Sequence, residues 1–388
     1  MNMNCKNENN KKVNRYSEDI SRRKFLKSCI ASGCALCLGS SVTPIFAQEK
    51  PWKWSIEARH YYTEGKTAFC DLCPVECIIY PGKVGDCRVK KNFDGKLYSL
   101  VYGNPCAVYV DPIEKKPLYH YLPQSSAFSI ATAGCNLACL NCQNWEISQA
   151  KPEETKNKDL MPDKVVETAL KYKCESIAFT YSEPIVFFEY TYDTAKLAKS
   201  KGLKTLLISA GYIKEKPLKE LCKVIDAANI NLKSFSDDIY KKLNRGTLKP
   251  ILRTLQIMAD EGVWLEITNL VIPTWTDDLK MIRDMCRWLT KNKLNSYPLH
   301  FSRFFPLHKL THLPQTPADI LEKARNIAFE EGIQYAYVGN VPDVDSQNTY
   351  CHKCKKLLIK RRGYYNLENN IENGKCKFCK TKIPGNWG

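Results

Sequence analysis

Phe128-Ser129-Ile130-Ala131-Thr132-Ala133-Gly134-Cys135-Asn136-Leu137-Ala138-Cys139-Leu140-Asn141-Cys142-Gln143-Asn144-Trp145 is the stretch that decides the reading of this chain. The apolar run Phe128–Ala133 predicts a short strand, and it leads straight into cysteines spaced C-x3-C-x2-C. Three thiolates with no fourth nearby leave one position of a bound metal group without a protein ligand. An open position is where a small molecule can coordinate and react, which is what separates catalytic from structural metal sites. The alternative is a structural zinc or cluster site.

Working outward, the chain alternates between short apolar runs and longer helix-like stretches. Strands are predicted at Phe128–Ala133, Ser176–Thr180, Lys204–Ser209, Ile230–Leu232, Trp264–Ile272, Leu299–Phe301 and Tyr335–Val338. Helices are predicted at Asp163–Tyr172, Phe187–Lys201, Pro217–Ala227, Pro250–Glu261, Thr276–Lys291 and Pro317–Gly332. Met161-Pro162-Asp163 and Thr316-Pro317 are helix-opening signals. This alternation argues for an α/β fold with a parallel sheet, a whole or partial barrel, with a doubly wound sheet as the alternative. In either, chemistry belongs at the carboxyl ends of the strands.

The chain has 388 residues, 44% hydrophobic and 26% charged, as in a soluble globular protein with one large domain and small modules. Its 19 cysteines are the anomaly. Besides the central three, Cys70, Cys73, Cys77 and Cys87 form one group, and Cys351, Cys354, Cys376 and Cys379 another. Tight C-x2-C pairs close loops too small for good disulfides but set two thiolates within reach of one ion. The first group suits zinc or a second iron–sulfur cluster. The second, two knuckles 21 residues apart, reads as a zinc-ribbon or rubredoxin-like module holding zinc or iron. Lys360-Arg361-Arg362 between those knuckles suggests an interaction surface.

The net charge of +17 is concentrated at the two ends, and the middle is near neutral. A solvated surface around a metal module explains the basic C-terminal segment as well as nucleic acid does, and nucleic acid is not an expected partner. Ser21-Arg22-Arg23-Lys24-Phe25-Leu26-Lys27, followed by a mildly apolar run to Ala47, resembles a twin-arginine export signal cleaved after Ala47. That reading places the protein on the periplasmic side; the alternative is a basic tail on a cytoplasmic protein. A lipoprotein reading at Gly33-Cys34 is weaker. No stretch reads as a transmembrane span. The expected organisation is a leader at 1–47, a Cys-rich region at 48–122, the barrel at 123–345 and the knuckle module at 346–388.

The cysteine spacing after a first strand is similar to that of the radical SAM superfamily. More closely, roughly residues 57–388 resemble the radical SAM enzymes of the AmmeMemoRadiSam system and the pyruvate formate-lyase activating enzymes. The resemblance rests on the cysteine motif with Gln143-Asn144-Trp145, on Asp111–His120, and on Phe179-Thr180-Tyr181-Ser182-Glu183-Pro184. Asn231-Leu232-Lys233-Ser234, Thr268–Thr274, His300–Phe304 and Tyr337–Val341 add to it. It implies a partial TIM-type barrel in which Cys135, Cys139 and Cys142 hold a [4Fe–4S] cluster whose open iron chelates S-adenosylmethionine (SAM). It implies reductive cleavage of SAM to methionine and a 5′-deoxyadenosyl radical, hydrogen abstraction from a substrate, with a partner protein and a small molecule as the alternatives, and a flavodoxin- or ferredoxin-type reductant.

By resemblance, Ser182, Glu183 and Pro184 replace the element that binds the SAM amino group, and Gly211, Asn231 and Lys233 are the further cofactor-binding candidates. Glu266, Asn269, His300 and Arg303 are candidates for the cavity wall. One position departs from the family pattern. An aromatic residue usually precedes the third cysteine beside the adenine, and here Asn141 stands there, with Trp145 as a candidate substitute. SAM and its reductants are cytosolic, which sits awkwardly with the export reading. The second class of function is a non-catalytic iron–sulfur or zinc protein for electron transfer or nucleic-acid binding.

Overall fold

The apolar runs become neighbours in one sheet. In the computed structural model, which describes residues 51–342 and 345–388, the strands are β1 (Ala107–Pro112), β2 (Ser126–Ala131), β3 (Ser176–Phe179), β4 (Lys204–Ser209), β5 (Ala227–Asn231), β6 (Trp264–Val271), β7 (Leu299–Arg303) and β8 (Ala336–Gly339). The leader with Arg22, Arg23 and Ala47 lies outside the described residues. The strands lie in sequence order, β2 to β8 all parallel and β1 antiparallel to β2. A doubly wound sheet reverses its strand order part-way. This sheet does not, so the fold is a partial barrel, and β1 and β8 do not pair to close it.

The connecting helices are α1 (Pro162–Lys171), α2 (Phe188–Ser200), α3 (Glu215–Cys222), α4 (Leu248–Asp260), α5 (Leu279–Lys291) and α6 (Ala318–Glu330). All four side chains of β3 are buried, as expected of a parallel strand covered on both faces.

Several boundaries differ from the sequence reading, two of them for a visible physical reason, and one strand is additional. α3 stops at Cys222 instead of Ala227, because Asp226 is committed to β4: its carboxylate accepts from the Thr205 amide (2.9 Å) and hydroxyl (3.0 Å). α5 starts at Leu279 instead of Thr276, because Asp278 caps it and Thr276 Oγ1 is bonded to the Ile272 amide (2.7 Å). β1 was not anticipated, because its side chains lack a clean alternation and Tyr109 and Val110 stay exposed on the sheet edge.

Between β1 and β2 the chain enters the amino-terminal end of the barrel as a plug. Asn229 Nδ2 of β5 donates to the Pro117 carbonyl (2.8 Å), and Glu266 of β6 accepts from the amides of Tyr119 (2.9 Å) and His120 (2.7 Å). His300 Nε2 lies 2.7 Å from the same carboxylate.

Small antiparallel sheets flank the barrel. Before it, Ile56–Glu57, Lys96–Ser99 and Lys90–Phe93 form one ladder, and Tyr61–Glu64, Thr67–Cys70 and Ile78–Ile79 a second. After it, Thr349–Tyr350, Leu357–Arg362 and Tyr365–Asn369 make a third. No helix among the described residues is long and apolar enough to cross a membrane.

Candidate functional site

The carboxyl ends of the strands open into a cavity of about 440 Å³. Cys135, Cys139 and Cys142 line it from the loop after β2, and Ser182 and Glu183 from the turn after β3. Asn231 and Lys233 reach it from the end of β5.

The cysteine loop is held by its backbone, so the thiols need not hold it themselves. The amides of Ala138 and Leu140 donate to the carbonyls of Asn244 (3.0 Å) and Leu243 (2.9 Å), and Asn136 Nδ2 donates to the Tyr212 carbonyl (2.7 Å). At Gly134 (φ 95°) a Cβ would stand 2.6 Å from the Cys87 carbonyl and from Val89 Cγ1, so only glycine fits between the strand and the first cysteine. Burial pushes the Cys135 and Cys142 thiols up from their ordinary range, Cys135 well above it. Buried thiols of this kind stay protonated until a metal displaces the proton.

The turn after β3 is strained at Tyr181 (φ 62°), where a bulky residue rarely sits. Its carbonyl accepts from Asn144 Nδ2 (2.8 Å), which ties this turn to the cysteine loop. Glu183 uses both oxygens within the protein: Oε1 accepts from Ser209 Oγ (2.6 Å) and the Ile185 amide (3.2 Å), Oε2 from the Ala210 amide (2.9 Å). Burial pushes its carboxyl up despite these bonds. Glu183 therefore locks β3 to β4. Burial would pull Lys233 down, but the three cysteines, once deprotonated, and Glu183 outweigh it and raise its ammonium.

Two candidates lie off the cavity wall. Pro184 follows the turn, with its carbonyl taken by Thr191 Oγ1 (3.3 Å). Gly211 (φ 69°) faces Ile230 and Thr254 at 3.0 and 3.2 Å from where a Cβ would be, so its close approach is to its own fold. Strand alternation sorts the later candidates. Glu266, Thr268 and Leu270 share one face of β6, which Ile272 continues just beyond it, but Glu266 lies at the amino-terminal end, under the plug, while the other three line the cavity. His300 likewise meets Glu266, and Ser302 of the same strand reaches the cavity. Asn269 turns to the Leu232 carbonyl (2.8 Å) and Arg303 to that of Thr316 (2.7 Å). Trp145 stacks on His308 with centroids 5.2 Å apart and leaves the wall to Asn141.

Sequence reasoning assigned no role to a charged group on the cavity wall. Lys116 Nζ lies 2.6 Å from Asp111 Oδ2, and the Tyr181 hydroxyl donates to the same carboxylate. Burial brings the Lys116 ammonium down to about 8 despite Asp111. Its signal was the stretch Asp111–His120, which carries the family resemblance without a role for Lys116. Tyr364, from the hairpin after the barrel, also reaches the wall.

Asn141 Oδ1, Ser182 Oγ and both amide atoms of Asn244 line this cavity buried, with no hydrogen-bond partner in the protein. An unmade bond of that kind costs about 1–3 kcal/mol, so such groups mark the place of a polar ligand. Beside three thiols and an ammonium, they fit a cluster together with a charged amino-acid-type ligand such as SAM.

The other cysteine groups differ in spread. Cys70, Cys73, Cys77 and Cys87 line one enclosed space with Asn136 and Val186, against the cysteine loop. Among the described residues, only Cys351, Cys354, Cys376 and Cys379 bring all their sulfurs within 4.8 Å of one another. Arg361 of the basic run between those knuckles is buried over the Tyr119 ring (4.2 Å), and so is not part of an interaction surface.

Comparison with known proteins agrees with this geometry. The profile of the Radical SAM superfamily matches residues 129–288. The uncharacterized protein MJ0808 of Methanocaldococcus jannaschii is 43% identical over 318 residues, 81% of this chain and 94% of that one. The pyruvate formate-lyase 1-activating enzyme of Escherichia coli is 26% identical over 151 residues, 37% of this chain and 61% of that one. The pyruvate formate-lyase-activating enzyme of Clostridium pasteurianum is 26% identical over 171 residues, 42% and 68% of the two chains. The match to the E. coli enzyme thus spans less than two thirds of its length. With the barrel, the cysteine loop after its first parallel strand and these relatives together, the chain is an enzyme of the radical SAM superfamily.

Proposed function

We propose that Cys135, Cys139 and Cys142 hold a [4Fe–4S] cluster and that the cavity above it binds SAM and a substrate hydrogen donor. When bound, the cluster would supply one electron, drawn from a flavodoxin- or ferredoxin-type reductant, to the SAM sulfonium, giving methionine and a 5′-deoxyadenosyl radical that takes a hydrogen atom from the substrate. The observation that carries the reading is the set of unpartnered buried polar atoms around the three thiols. Lys233 would pair with the SAM carboxylate, and the Ser182 hydroxyl would take up its amino group. Asn141 offers the adenine a hydrogen bond in place of a ring face. The plug closes the barrel below the cavity and would exclude water from that side.

The substrate in this reading is a segment of a partner protein, as the names of the activating-enzyme relatives suggest. Tyr364, Tyr365 and Leu367, 45%, 77% and 60% exposed beside the cavity, offer such a segment an apolar landing. Protein reconstituted anaerobically with iron and sulfide, then given SAM and dithionite, is expected to release 5′-deoxyadenosine. Lys233→Met is expected to keep the cluster spectrum and to weaken SAM binding at least about tenfold, the loss of one charge-assisted contact. An intact cluster without 5′-deoxyadenosine refutes the reading.

Export belongs to the same proposal. Arg22→Lys with Arg23→Lys is expected to hold the chain in the cytoplasm with its leader uncut. Wild-type protein found uncut in the cytoplasmic fraction would remove the export reading and leave the chemistry untouched.

A further inference from the structure

The four C-terminal cysteines form two copies of one turn. Cys351 and Cys376 each accept, through the carbonyl, the amide of the residue four positions on, Lys355 and Lys380, both at 2.9 Å. Lys355 (φ 59°) and Lys380 (φ 58°) then adopt the same left-handed conformation, which costs a lysine free energy unless its surroundings fix it. The Cys351 and Cys376 amides donate in turn to the carbonyls of Lys356 (2.9 Å) and Thr381 (2.8 Å). The paired turns aim their thiols at one point: Cys351 Sγ is 3.6 Å from Cys379 Sγ, and Cys354 Sγ is 3.7 Å from Cys376 Sγ. These are not disulfide distances, which are about 2 Å. They match the roughly 3.8 Å between thiolates set tetrahedrally about 2.3 Å from one ion.

The buried thiols share a core with barrel residues: Cys351 and Cys376 pack with Leu358, Ile359 and Ile383 and with Tyr119 of the plug and Tyr337 of β8. From this core a chain of hydrogen bonds runs to the plug. Arg361 Nη1 donates to Thr349 Oγ1 (2.7 Å), which lies 2.8 Å from the Tyr337 hydroxyl, and that hydroxyl lies 2.6 Å from His120 Nε2. His120 Nδ1 donates to the Pro384 carbonyl (2.8 Å), and Arg361 Nη2 donates to the Tyr119 carbonyl (3.1 Å).

We propose that Cys351, Cys354, Cys376 and Cys379 bind one zinc ion and that the module built on it clamps Tyr119 and His120 into the floor of the reaction cavity. Four thiolates leave no open position, so the ion has no catalytic role. The clamp does not depend on what reacts above it.

Wild-type protein is expected to carry one zinc per chain by elemental analysis. The double variant Cys354→Ser/Cys379→Ser should lose it with acid-labile sulfide unchanged. Hydrogen exchange at the Tyr119 and His120 amides should then speed up at least tenfold. Arg361→Gln should keep the zinc and speed up the same amides. Because the double variant can misfold, zinc is also withdrawn from wild-type protein with a chelator and exchange is followed at the same amides. Iron in place of zinc at these four cysteines, sulfide lost with them, or zinc removed with exchange unchanged would each overturn the proposal.

Discussion

Cys139→Ala should give a folded chain that makes no 5′-deoxyadenosine. Cys139 is 8% exposed, and the residues on either side of it are fixed by backbone bonds to Asn244 and Leu243 that do not involve its side chain. Losing one buried sulfur costs about 1 kcal/mol of packing, well within what a chain this size tolerates. The loss for the metal group is total. In the proposed reading two thiolates would not hold the cluster, and without it no electron would reach SAM. Absorption near the iron–sulfur bands, iron content and product should fall together, while the thermal midpoint should move by only a few degrees. Cys286→Ala is the matched control, since that thiol is buried within α5, away from the cavity. Equal loss in both variants, or a cluster retained in Cys139→Ala, would remove Cys139 from the site.

The largest expected stability effect lies at Glu189. Lys90 Nζ meets Glu189 Oε2 at 2.5 Å with both side chains 2% exposed, and Glu189 Oε1 also accepts from the Arg59 amide (3.1 Å). This pair joins the N-terminal sheets to α2. Glu189→Ala leaves an ammonium buried without its partner and should destabilise the protein by about 3–5 kcal/mol. Lys90→Met with Glu189→Leu should recover most of that, because a buried pair gains little over apolar residues that pack as well. Urea unfolding of the three proteins checks both statements.

Burial alone would raise the Glu189 carboxyl, but Lys90 outweighs it and holds the group below the usual carboxylate range. A folded-state pKa lowered in this way gives stability that is full above about pH 4.5 and is lost as pH falls through the folded value. Wild-type stability should therefore drop on acidification through that window, and the apolar double variant should drop less.

How much of this was readable depended on distance along the chain. β4 was read to the residue, because the apolar run Leu206–Ile208 lies between two glycine turns, Gly202 and Gly211. The three thiols and the turn after β3 were readable because their spacing is local. Depth along the barrel was not. Alternation places Glu266 and Thr268 on one face, yet only the plug decides that one is under the floor and the other above it. Arg361 looked like a surface charge beside Lys360 and Arg362, and its aromatic and carbonyl partner, Tyr119, lies more than two hundred residues earlier. Gly211 looked open to a ligand because nothing in the sequence announces Ile230 and Thr254 beside it.

The plug also bears on the order of events at the ribosome. Each parallel strand pairs with the one made just before it, so the sheet can grow as synthesis proceeds. His120 waits for Pro384, 264 residues later, and the Leu122 amide for the Asn386 carbonyl. Closing so long a loop is the slow step of such a topology. A nascent chain halted before Pro384 would carry every barrel strand and the plug's bonds to Glu266 and Tyr337, but His120 Nδ1 and the Leu122 amide would still lack their last partners.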